Sequence, residues 1–335
     1  MGLSLILWIR RQRSATGSIL CAALLMTVAI GSSLSVSAAQ VEIVTATFSL
    51  DAPQGREVPV LASYPQSACD PCRLVVFSHG AFAAPERYRR LSDVWARAGF
   101  VVVAPMHVDS ELNASRDEYD RAATMRTRFE DFALLATGPQ LRTVLAERGV
   151  TLMEKIIATG HSYGALIAQV AGGASVGGGA IIPESLLQAR ERVLGVVALS
   201  PPGPFPGGVN KENWAQINLP MLVVTGTRDV LPGFVDDWQL HLVSFEAASL
   251  APAYALVFDD ADHYFNGAFG RTVDVLSESV AKSVETLNAH TIEFMRALSV
   301  GRKMSAERWL ALAAPGVEPR VSSSAEELSE TVNAR

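Results

Sequence analysis

Lys155-Ile156-Ile157-Ala158-Thr159-Gly160-His161-Ser162-Tyr163-Gly164-Ala165-Leu166-Ile167-Ala168 is the stretch that decides the fold. Ile156 to Thr159 are apolar or β-branched and bounded by glycine, the composition of a short buried strand. Tyr163 to Ala171 is apolar and free of proline, the composition of a buried helix. Between them stands G-x-S-x-G. A strand that turns straight into a helix leaves no room for side chains two residues before and two after its apex. The apex residue, Ser162, is held with its hydroxyl exposed at the sheet's edge, and the helix N-terminus beside it favours developing negative charge. Alone, the pentapeptide is an ordinary turn. Flanked by strand and helix, it marks a nucleophile.

Outward from this point, strand and helix signals alternate from Val41 to Leu298. Val41–Leu50 and Val58–Tyr64 read as opening antiparallel strands. Leu74–Ser78, Phe100–Ala104, Lys155–Thr159, Leu194–Leu199, Met221–Thr225 and Tyr254–Phe258 read as short buried strands. Helical stretches lie between them at Glu86–Ala98, Glu118–Arg148, Tyr163–Ala171, Asp236–Ala247 and Thr272–Leu298. The alternation predicts an α/β protein with a mostly parallel central sheet and helices on both faces. Met106–Arg128 is polar and long, the composition of a lid or cap edge, and Gly172–Pro183 is a glycine-rich excursion. From about Val317 the chain turns to Ser, Glu and Arg, which predicts a disordered tail.

A serine nucleophile needs a base and an acid, here expected in the chain order Ser, Asp, His. Met221–Thr225 runs into Gly226-Thr227-Arg228-Asp229, and Tyr254–Phe258 runs into Asp259-Asp260-Ala261-Asp262-His263. Both place the residue beyond the C-terminal end of a strand, where sites of open α/β sheets lie. Ser162, His263 and Asp229 are therefore the expected nucleophile, base and orienting acid. Asp259, Asp260 and Asp262 compete with Asp229, but they sit too near His263 in sequence to reach its ring. Two N–H donors should face the tetrahedral oxygen. Tyr163 N–H supplies one, and Ala81 N–H, in the His79-Gly80-Ala81-Phe82 loop, the other. His79 and His161 are expected to order their loops, and His107, His241 and His290 to occupy ordinary settings. Phe82 and Tyr264 are the candidate substrate contacts, with Met106, Tyr163 and Phe265 as further apolar neighbours. Clustered metal-ligand spacing is lacking, so no metal site is expected.

Phe77-Ser78-His79-Gly80, Gly99-Phe100-Val101-Val102-Val103-Ala104-Pro105, Arg128-Phe129-Glu130-Asp131, Gly160–Gly164 and Ala261-Asp262-His263-Tyr264-Phe265 together resemble the α/β-hydrolase superfamily over Val41–Leu298. Within it the chain is similar to bacterial dienelactone-hydrolase-like and platelet-activating-factor-acetylhydrolase-like esterases, with cutinase-like polyester hydrolases nearby. The resemblance implies hydrolysis of a small-molecule, lipid or polyester ester through an acyl-enzyme, without a cofactor. Serine stands where dienelactone hydrolases use cysteine, which departs from dienelactone chemistry itself. An amidase, peptidase or cofactor-free perhydrolase would use the same residues. A non-catalytic binding protein on this scaffold would be expected to lack the serine, the histidine or the elbow glycines.

The termini and charge complete the organisation. Arg10, Arg11 and Arg13 precede an apolar run, Ile19–Ile30, closed by small residues at Ser37-Ala38-Ala39: the order of a signal peptide over residues 1–39. The run is shorter than the ~20 residues a membrane span needs, so a cleaved leader is favoured over a retained anchor, and a periplasmic or secreted protein follows. Cleavage removes three arginines and no acid, taking the net charge from −6 to −9. That balance, without a basic block, argues against nucleic acid as a partner. Cys21 leaves with the leader, and Cys69-Asp70-Pro71-Cys72 is then read as a small disulfide rather than a redox pair or half a zinc site. Residues 40–300 form the expected hydrolase domain and 301–335 a partly disordered extension.

Overall fold

The computed structural model describes residues 41–67, 69–302 and 304–324. Residues 1–39, read from the sequence as a leader, and the tail beyond Ser324 lie outside them. Among the described residues, nine strands form one sheet: β1 (Ile43–Asp51), β2 (Glu57–Pro65), β3 (Cys72–Ser78), β4 (Phe100–Pro105), β5 (Leu152–His161), β6 (Val193–Leu199), β7 (Met221–Arg228), β8 (Ala253–Asp262) and β9 (Val317–Val321). Their spatial order is β1-β2-β4-β3-β5-β6-β7-β8-β9. β4, β3 and β5 to β8 run parallel, while β1, β2 and β9 are antiparallel to their neighbours.

The parallel strands carry near-continuous apolar runs because both sheet faces are covered. Successive side chains point to opposite faces. Ile156 and Ala158 of β5 therefore join one core with Phe129, Phe132 and Leu166, while Ile157 joins the other with Trp95, Leu287 and Phe294. The helices Arg121–Thr137 and Tyr163–Ala171 cover the first face, and Arg89–Arg97 and Glu278–Ser299 the second. The expected mostly parallel sheet with helices on both faces is the observed architecture.

Three sequence expectations are corrected. The Glu118–Arg148 helix is two helices, Arg121–Thr137 and Pro139–Ala146, because Pro139 cannot donate within a continuing helix and instead begins a new one. The Thr272–Leu298 helix starts later, where Ser277 accepts from Val280 N. Residues read as the start of a disordered tail are instead β9, which pairs with β8 from Tyr254↔Val321 to Phe258↔Val317. Without it the β8 edge would be open, and fully buried Trp309 anchors the connecting segment in the second core. Among the described residues, no helix is long and apolar enough to cross a membrane.

The chain runs from β3 outward to β4, then crosses back to place β5 on the other side of β3. The loops leaving β3 and β5 therefore diverge, which opens a crevice at the sheet's C-terminal edge. His79-Gly80-Ala81 follows β3 and Ser162 follows β5, so the topology brings them together.

Candidate active site

Ser162 has φ 54° and ψ −121°, a strained conformation for a residue with a side chain. The flanking glycines are what permit it. A Cβ on Gly160 would lie 2.2 Å from Gly164 O, and one on Gly164 would lie 1.9 Å from Ser78 O. The first contact closes the turn, and the second packs the elbow against the end of β3. Ser162 Oγ emerges 2.9 Å from His263 Nε2, and His263 Nδ1 donates to Asp229 Oδ1 at 2.7 Å. Thr225 Oγ1 donates to Asp229 Oδ2 at 2.8 Å. All three predicted residues therefore meet, although Ser162 and His263 are 101 positions apart.

The donors follow from the acceptors. Burial alone would raise the Asp229 carboxyl, but hydrogen bonds from His241 and His263 hold it well below the usual carboxylate range. An ionised Asp229 only accepts, so His263 Nδ1 carries the proton. Its Nε2 is left with a lone pair facing the serine hydroxyl. The arrangement can draw the Ser162 proton onto His263 and neutralise the resulting imidazolium with Asp229.

Ala81 and Tyr163 N–H have no acceptor among the described residues, and Tyr163 opens its helix, where backbone donors are left free. Phe82, adjacent to Ala81, is positioned by its N–H to Asp109 Oδ2 at 3.4 Å. Arg128, fully buried, holds the same loop: it donates to His79 O at 2.6 Å, to Gly80 O at 3.1 Å, and to both Asp109 oxygens at 2.9 Å. Its guanidinium lies 4.6 Å from the centre of the Tyr163 ring. Burial alone would raise the Asp109 carboxyl, but Arg128 pulls it down to about 2. Arg128 thus ties the β3 loop to the elbow helix.

A cavity of about 350 Å³ opens over Ser162 and His263. Phe82 and Tyr264 line it, as predicted, together with Ala81, Leu231 and the charged Glu111, Arg116 and Arg271. Phe82 is 67 % exposed at its rim. Arg271 stacks 4.7 Å over the Tyr264 ring. Tyr163 and Phe265 do not line it. The Tyr163 ring faces Arg128, and Phe265 belongs to the second core. Of the segment Met106–Arg128, Glu111 and Arg116 reach the cavity, while Val108 and Asp109 are buried beneath it.

The loop histidines behave as anticipated at two positions. His79 Nδ1 faces Gly80 O at 2.7 Å and its Nε2 accepts from His107 N at 3.1 Å. His161 Nε2 donates to His263 O at 2.8 Å, and its Nδ1 accepts from Tyr88 at 2.9 Å. Burial pushes His161 down to about 3. The expectation fails for His107 and His241, which are not in ordinary settings. His107 is buried between Ser78 and Asp131, at 2.8 Å from each. His241 Nε2 lies 2.9 Å from Asp229 Oδ1, so the acid is shared by two histidines. No local motif announced this contact: His241 lies 12 positions beyond Asp229, in a short 3₁₀ turn. Among the acids, Asp259 and Asp260 are exposed. Asp262 is engaged instead as an acceptor for Tyr264 N at 2.9 Å and Asn266 N at 2.7 Å, which shapes the His263 loop.

Among the described residues, the group that could surround a cation is Asp229, His241 and His263. Their facing atoms already satisfy one another by hydrogen bonds, so their arrangement is accounted for without one. Cys69 and Cys72 bring their sulfurs 2.12 Å apart in the turn before β3.

No protein-family model matches the chain, and no curated protein sequence does. Solved structures do. A Klebsiella pneumoniae protein named as a dienelactone hydrolase superposes with a TM-score of 0.52 at 17 % identity, over 75 % of this chain and 99 % of that one. Thermogutta terrifontis esterase 2, phosphorylated by paraoxon, superposes with a TM-score of 0.53 at 16 % identity, over 75 % of this chain and 94 % of that one. Identities this low speak to architecture rather than activity. The sheet order, the elbow after β5 and these superpositions agree that this chain has the α/β-hydrolase fold.

Proposed function

We propose that the protein is an exported serine hydrolase that cleaves carboxylic esters through an acyl-enzyme. The observation that carries this reading is the unbroken line Asp229 Oδ1, His263 Nδ1, His263 Nε2, Ser162 Oγ at a cavity floor. In the proposed reaction Ser162 Oγ attacks the ester carbonyl carbon as His263 takes its proton. The oxygen that becomes negative is met by Ala81 and Tyr163 N–H. His263 then protonates the departing alcohol, and water enters by the same route to release the acid. Phe82 and Tyr264 contact the substrate. Export would allow Cys69 and Cys72 to persist as a disulfide, with the mature chain starting near Ala39.

Similarity to an esterase that paraoxon phosphorylates suggests the test. p-Nitrophenyl esters of increasing acyl length are assayed with and without a serine-directed phosphonate, and the adduct is mapped by mass spectrometry. Turnover abolished by one phosphonate on Ser162 is expected. Ester turnover insensitive to the reagent, or an adduct on another serine, would overturn the proposal.

A further inference from the structure

Every buried histidine near the site except one meets a balanced set of partners. His79 and His161 each face one acceptor and one donor, so each is satisfied as a neutral ring with one proton. His241 is different. Its Nδ1 meets the carbonyl oxygen of Pro201, and its Nε2 meets Asp229 Oδ1 at 2.9 Å and Asp229 O at 3.0 Å. All three oxygens only accept. A neutral ring would leave one bare nitrogen lone pair pressed against an oxygen, with the side chain only 1 % exposed to solvent.

We infer that His241 is a doubly protonated imidazolium that clamps Asp229 and, through it, sets the protonation range over which His263 serves as base. It is a positioning residue: it touches neither Ser162 nor the cavity. The inference rests on the proposed serine-hydrolase reading for its effect on His263, but the charge state of His241 stands on geometry alone. Burial opposes the charge, and the contacts with Asp229 and Pro201 O outweigh it, raising the affinity of His241 for its second proton.

The groups facing His241 are few. Asp229 comes from the end of β7, His263 from the loop after β8 with its ring centre 5.8 Å away, and His161 stands behind His263 at 4.9 Å. On its own turn, exposed Asp237 caps Gln239 N. A fixed cation beside Asp229 offsets part of that carboxylate's charge and repels a second proton on His263.

Two measurements on the full chain test this. In protein labelled with ¹⁵N at histidine, His241 should show two protonated ring nitrogens at pH 8, where an ordinary histidine has one. Loss of that signal set in His241→Gln assigns it. In the same variant the acid limb of kcat/KM should move upward by roughly one pH unit, so that activity near pH 5 falls about ten-fold more than the alkaline plateau. A purely structural role would lower the plateau and leave the limb in place, which would overturn the inference. So would a single protonated nitrogen on His241, and that result holds even if the variant fails to fold. Absence of ester turnover in the native protein would instead retire the serine-hydrolase reading, leaving the two-proton measurement to decide His241.

Discussion

Replacing Arg128 with Met removes a charge carried by one of the largest fully buried side chains among the described residues, and the structure sets the size of the effect. Met fills similar volume but donates nothing. Asp109, 5 % exposed, loses both of its 2.9 Å guanidinium bonds, and the His79 and Gly80 carbonyls lose theirs. The stranded carboxyl escapes its buried charge by protonating. From a reference near 3.9, holding it neutral at pH 7 costs about 4 kcal/mol, in line with the roughly 3–5 kcal/mol seen when one partner of a buried pair is removed. His79 O, left without its donor while Gly80 O keeps His79 Nδ1 and Ala83 N, brings the total to about 5–6 kcal/mol, a fall of roughly 10–20 °C in Tm. The penalty should also depend on pH. The native protein gains from ionised Asp109 at all pH above ~4, whereas the variant is held back only where the unfolded chain is ionised. The difference should therefore shrink by about 1.4 kcal/mol per unit from pH 7 towards pH 4. Urea unfolding of both proteins at pH 7 and pH 5 measures it, and Asp109→Asn in the Arg128→Met background should recover about 2 kcal/mol or more. A variant destabilised by under about 1 kcal/mol, or by an amount flat with pH, would refute the account. Ester kcat should fall on the order of 10²-fold with KM less affected, because the loop carrying Ala81 loses its anchor.

The remaining expectations concern the site and its acid limit. Ser162→Ala should lower kcat by on the order of 10⁴–10⁶ with the fold intact by circular dichroism; near-native turnover would place the nucleophile elsewhere. Asp229→Asn should lower kcat by on the order of 10⁴ by favouring the wrong His263 tautomer. Exposed Asp259→Asn and Asp260→Asn should stay within about ten-fold, and Asp262→Ala should fall between because two backbone donors lose their acceptor; any other order would redraw the acid. Gly164→Ala should give little soluble protein or a loss of several kcal/mol, roughly the upper end for overpacking, since its Cβ would sit 1.9 Å from Ser78 O, a backbone atom. Asp109, held at about 2 by Arg128, contributes stability that is present above pH ~4 and lost as pH falls through ~2. Urea midpoints at pH 5 and pH 2.5 should show that fall in the native protein, with its Asp109 component missing from Asp109→Asn.

Much of this molecule was legible in one dimension because the relevant physics is local. The apolar runs of β3 to β8 read as buried strands since both faces of a parallel sheet are covered, and G-x-S-x-G between Ile156–Thr159 and an apolar helix reads as an elbow since only glycine fits at its shoulders. Asp229 and His263 were singled out from their place after strand ends, and the structure brings them within hydrogen-bonding distance. Local composition misled at Val317–Val321, where a polar segment becomes β9 because the β8 edge supplies partners that no window of sequence contains. It also ran out at the charges. Arg128 and Asp109 lie in a polar stretch that reads as a lid or cap edge, and His241 in a helical stretch that reads as an ordinary setting. Only the packed structure shows Arg128 clamped between the β3 loop and the elbow helix, and a second histidine on the Asp229 carboxylate. Burial and pairing are set by which loops the sheet order brings together, and that order, β4-β3-β5 rather than β3-β4-β5, is decided by tertiary packing.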